Sequence, residues 1–89
     1  MQKKILNYRV IVEKEYYPNG KAVYNVYCPK LDIADYGDTV EKALSSIQIA
    51  IELRLEALAE EREEVPQESN EVIFAEVSIV PSKSVIAAL

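Results

Sequence analysis

Apolar and polar positions alternate along ILNYRVIVEKE, residues 5 to 15: Leu6, Tyr8, Val10 and Val12 share one parity, and Asn7, Arg9 and Glu13 the other. Successive side chains leave a pleated backbone on opposite sides, so this period of two predicts a strand with one buried face. YYPNGK follows. Pro18 presets its own φ, Asn19 tolerates a bridge or left-handed conformation, and Gly20 accepts a positive φ, which together predict a reversal. The returning strand is AVYNVYC, residues 22 to 28, with faces Tyr24/Val26 and Val23/Tyr27 and a stop at Pro29.

The period then changes. Val40, Leu44, Ile47, Ile51, Leu55 and Leu58 fall on one helical stripe with Ala43 and Ala50 beside it, which predicts an amphipathic helix running to about Glu63. Asp38 is the expected cap, with Glu41 three residues on reaching back to it, and Thr39 can cap one residue later. Gly37 gives the chain freedom to swing into that geometry. EREEVPQESNE is a polar connector in which Pro66 forbids further helix. VIFAEVSIV, residues 72 to 80, reads as a third strand with Ile73, Ala75, Val77 and Ile79 on its more apolar face, closed by Pro81. The tail SKSVIAAL fits a short helix or an edge strand. The predicted order β-β-α-β describes an α+β fold, a small antiparallel sheet packed on one long helix, with a single domain over residues 1–81 and a short tail over 82–89.

Some apolar residues fall outside this scheme. Ile49, Leu53 and Ala57 lie off the main helix stripe, and Val72 and Phe74 have the opposite parity to Ile73 and Val77. Apolar surplus on two faces marks an interface, so a homodimer or higher symmetric oligomer is expected.

Charge and composition narrow the chemistry. The 89 residues carry a formal net charge of −5, and the ten basic residues are scattered. A phosphate backbone is held by a concentrated basic footprint, so direct nucleic-acid contact is disfavoured. The apolar residues near Met1 are too often interrupted by charge to form a signal segment, and the single cysteine, Cys28, excludes an internal disulfide; a cytosolic chain with no membrane span is expected.

Asp32, Asp35 and Asp38 raise the question of an acidic cluster, because hard divalent cations take carboxylate oxygens. Capping accounts for Asp38 and an exposed loop for the other two. Histidine is absent, so the commonest general base is missing, and Gly20 and Gly37 are too few for a phosphate-cradling loop. Cys28 has no histidine to activate it and reads as a small buried hydrophobe. No catalytic residue, metal ligand or cofactor is therefore assigned, and no enzyme is expected. The six tyrosines can stack on unpaired bases, but strand tyrosine is also ordinary β-propensity. With the acidic surplus, a protein partner is the better use of any exposed tyrosine. Glu52, Glu56, Glu60, Glu61, Glu63 and Glu64 make the outer face and end of the helix negative, which suits a basic partner and equally suits plain solvation.

A hairpin with Tyr8, Val10, Gly20, Tyr24 and Val26, then Pro29 and Leu31, then Gly37, Asp38, Thr39, Glu41, Ala43 and Leu44, and Pro66 past the helix, resembles the HicB-like antitoxins over about residues 5–68. The most specific part is GDT followed by EKAL, downstream of PKL. The resemblance implies a partial ribonuclease-H-like domain that binds HicA, a small RNA-cleaving toxin, and blocks its active site. Family members commonly add a C-terminal helix-turn-helix or ribbon-helix-helix. Here eight residues follow from Ser82, fewer than either module requires, and LDIADYG stands where a glycine often follows the proline. The expected partner-binding residues are Tyr27 and Tyr36 as anchors with Asp32 and Asp35 as rim acids. The alternatives are a nucleic-acid-binding domain of the same layout or a metal-dependent nuclease.

Overall fold

The computed structural model describes residues 4–69 and 71–89. Three strands, β1 (Ile11–Tyr16), β2 (Ala22–Cys28) and β3 (Ile33–Gly37), form an antiparallel sheet in the order β1-β2-β3. The long helix α1 (Val40–Glu60) lies on one face of it, against β3 and β2, and a short helix α2 (Lys83–Ala87) follows near the end of the chain. The α+β class and the long helix agree with the sequence. The order is β-β-β-α rather than β-β-α-β.

The hairpin forms where its turn residues place it. Gly20 takes a φ of 85°, its N–H donates to the Tyr17 carbonyl at 2.8 Å, and the Asn19 side chain accepts from the Lys21 N–H at 2.9 Å. Tyr16 is thereby set opposite Ala22 and Ile11 opposite Tyr27. β1 starts at Ile11, six residues later than the alternation predicts. In this register Arg9 would face Pro29, which has no N–H to donate, so residues 5–10 have no ladder to join. Tyr8 and Val10 nevertheless pack on the core.

The third strand is the main correction. β3 occupies IADYG, read from sequence as the loop leading into the helix, and pairs with β2 from Cys28↔Ile33 to Tyr24↔Gly37. A turn delivers it: Asp32 sits at φ 53° with its N–H donating to the Pro29 carbonyl at 3.3 Å. Residues 72–80 are not a strand. All nine are exposed, from Ile73 at 87% and Phe74 at 78% to Val77 at 84% and Val80 at 97%. The chain leaving α1 is tied near β1 by side chains instead of a ladder: Tyr8 donates its hydroxyl to the Pro66 carbonyl, and Arg9 pairs with Glu68 at 2.6 Å and donates to the Ser69 carbonyl at 3.1 Å. A β-prone run becomes a strand only where an edge receives it. This one pairs with neither outer edge of the sheet. The radius of gyration is 17.8 Å, against about 12 Å for a compact domain of this length, and the long axis is 60 Å.

The helix ends are also set by context. Thr39, not Asp38, is the N-cap: its hydroxyl accepts from the Lys42 N–H at 3.1 Å. Gly37 is the last paired residue of β3, and the chain needs Asp38 to leave the sheet, which moves the helix start on by one. Glu41 then lies in the first turn, where its charge favours the positive end of the helix dipole. A Cβ on Gly37 would run into the Ala43 amide and come within 2.7 Å of the Lys42 carbonyl carbon, so glycine allows the strand end and the helix start to touch. At the other end Arg62 takes φ 57°, its N–H donates to the Ala59 carbonyl and the Glu63 N–H to that of Leu58. This Schellman closure stops α1 three residues before the predicted Glu63 and well before Pro66.

The core consists of Val26, Cys28, Ala43 and Ile47, with Tyr8, Val10, Val12, Tyr24, Leu31, Ile33 and Ile51 packed around it. Cys28 is a fully buried free thiol. Ala43, also fully buried, allows the helix to approach the sheet closely. The deepest part of the helix stripe is Ala43, Ile47 and Leu58, whereas Val40 and Leu44 at its edge stay partly exposed.

Candidate functional site

Because α1 covers one face of the sheet, the register assigns the other face residue by residue. Ile11, Tyr27 and Ala34 form one cross-strand row, and Glu13, Asn25 and Tyr36 the next. Ile11, Glu13, Asn25, Tyr27 and Ala34 line a shallow depression of about 200 Å³. Tyr27 is 39% exposed and Tyr36 62%. Both are on this open face, as a pair of anchors requires.

Asp32 completes the arrangement from the β2–β3 turn. Its left-handed backbone lets the carboxylate accept the Tyr27 hydroxyl at 2.8 Å. That hydrogen bond, with smaller contributions from desolvation and the nearby negative charge, holds the Tyr27 hydroxyl above its ordinary pKa. Asp35 is placed differently. It shares parity with the strand positions that face the helix, is half-buried, and accepts the Tyr36 N–H at 2.8 Å. Of the four residues expected to meet a partner, Tyr27, Asp32 and Tyr36 belong to the open face, and Asp35 acts on the backbone beside it.

Glu13 and Glu15 have the open-face parity on β1 and are exposed, which adds negative charge beside the tyrosines. The glutamates of α1 belong to the opposite layer and do not extend this patch. Nothing in the local sequence marks Glu13, Asn25 and Ala34 as neighbours of the tyrosines. The available signal was Ile11, an apolar residue on the otherwise polar parity of β1.

Among the described residues, no three His, Cys, Asp or Glu side chains gather as a metal ion would require, and Asp32, Asp35 and Asp38 do not form such a group. Of the residues expected at an oligomer interface, Ile49 and Leu53 are exposed on α1 and Ala57 is half-buried. Val72 and Phe74 are exposed beside Arg9, Ile11 and Pro29. The two sets lie on different layers.

Over 67 residues the chain is 42% identical to the UPF0150 protein ssr1765 of Synechocystis sp. (strain ATCC 27184 / PCC 6803 / Kazusa), a match spanning 74% of this chain and 80% of that protein. The chain belongs to the UPF0150 family. No protein-family model and no solved structure matches it. The UPF0150 name specifies no chemistry. Among the described residues, no helix of this UPF0150 chain is long and apolar enough to cross a membrane.

Proposed function

We propose that this UPF0150 chain is a HicB-like antitoxin, a binding module that covers the active site of a small basic RNA-cleaving toxin of the HicA type. The observation that carries the reading is the open sheet face, where Tyr27 and Tyr36 stand among the acids Glu13, Glu15 and Asp32. A protein interface draws its affinity from a few buried aromatic or aliphatic anchors, and its rim charges speed encounter. Asp32 holds Tyr27 in place before binding, which lowers the entropy lost on docking. Inhibition on this mechanism is stoichiometric. The partner's RNA site is occluded and nothing is turned over.

The test is to purify the product of any adjacent toxin-like gene and measure association and dissociation rates. Tyr36→Ala is expected to speed dissociation, because an anchor is lost. Asp32→Asn is expected to slow association and reduce its salt dependence. Failure of the wild-type chain to bind or inhibit that product would remove the antitoxin reading. Filter binding with single- and double-stranded RNA belongs beside it. Affinity for RNA that falls steeply with salt would favour the nucleic-acid-binding alternative, with the same tyrosines as stacking platforms.

A further inference from the structure

Among the apolar surfaces that the described residues leave open, a groove and the short helix α2 differ in shape. One is concave. Because α1 packs on β3 and β2, the sheet margin carrying Tyr8 and Val10 is left beside an open groove of about 360 Å³, completed by Leu6, Leu44, Ile51 and Leu55. The other is convex: α2 presents Val85 and Ile86, followed by Leu89 one turn on, and none of its residues is buried. A helix of five residues is far too short to hold its shape unaided, so α2 depends on packing.

The groove is lined by residues 6–10 and α1, and no residue of α2 is among them. Pro66, Glu68 and Ser69 are bonded to Tyr8 and Arg9, and Val72 and Phe74 pass beside Ile11, which belongs to the open face on the other side of the sheet. From there every residue through Val80 is exposed. Charge at the groove favours the same match, since Glu52 lines it and Lys83 begins α2. We infer that the chain forms a symmetric dimer by exchanging tails, with Val85, Ile86 and Leu89 of each copy seated in the groove between residues 6–10 and α1 of a second copy. A two-fold exchange fills both grooves and covers both helices with no further component.

The deciding experiment mixes two full-length variants that each add one cysteine to native Cys28, Leu44→Cys and Ile86→Cys, under oxidising conditions. Native Cys28 is fully buried and contributes little background. The mixture should give a disulfide-linked heterodimer in clear excess over either variant alone, because that link can form only between copies. Sedimentation of the unmodified chain should show a dimer that persists at high salt, since the contact is mainly apolar. Val85→Asp with Ile86→Asp should weaken it at least about 10-fold. A monomer at high micromolar concentration overturns the inference. So does a dimer indifferent to that double substitution, or a mixture that cross-links no more than either variant alone. Should the aspartate variant lose its fold, the cysteine mixture decides alone.

Discussion

β2 and residues 72–80 are alike in composition and opposite in fate. AVYNVYC and VIFAEVSIV are both rich in β-branched and aromatic residues, yet Val26 and Cys28 of β2 are sealed between two strands and a helix while all of 72–80 is exposed. β2 is flanked by chain that turns back on it twice, through Gly20 and through Asp32. The later segment follows a polar connector that is tied to Tyr8 and Arg9, and it passes Ile11 of β1 without pairing. Composition permits a strand, and a receiving edge makes one.

The contrast can be tested with mutations of decreasing expected effect. Ile47→Ala opens a cavity under the sheet and should cost about 2–5 kcal/mol, whereas Val77→Ala should stay within about 0.5 kcal/mol. Urea unfolding at dilute protein concentration measures both, and a comparable cost at Val77 would mean that the tail is covered. Gly37→Ala drives a methyl into the first turn of α1 and should cost about 1–3 kcal/mol by the same assay. At the helix start, Thr39→Ala should cost about 1 kcal/mol and Asp38→Ala only a few tenths. Equal costs at the two positions would return the cap to Asp38.

The smallest effect belongs to the open face. Tyr27 has its pKa raised above the ordinary 10.0 mainly by donating to Asp32, so its neutral form is favoured by folding. The stabilisation is therefore complete below pH 10.0 and is lost as pH rises through the higher folded value. Exposure keeps it small. Phenolate absorbance followed through alkaline titration should show one late-ionising tyrosine fewer in Asp32→Asn than in the wild type.

Much of the packed body was legible in local pattern. The hairpin could be read from Pro18, Asn19 and Gly20, the helix from its stripe, and the buried thiol from the lack of any partner that would activate it. β3 was hidden because it is five residues long and places polar Asp35 on the helix-facing parity, which breaks the alternation a reader looks for. The candidate site was half legible. Tyr27 and Tyr36 could be named from the sequence as two of six tyrosines, but their company on one face with Ile11, Glu13 and Asn25 follows only from the register.

By itself the sequence determined what short-range physics controls: where the chain can reverse, which residues favour a helix, and that the chain carries a surplus of acid. The class, a sheet against one long helix, follows from those signals because each acts within a few residues. Which β-prone run would join the sheet was decided by tertiary structure, since pairing needs an edge at the right distance and angle. The same holds for the helix start at Thr39, set by where β3 stops pairing, and for the halt at Arg62, where a left-handed residue closed the helix without a glycine.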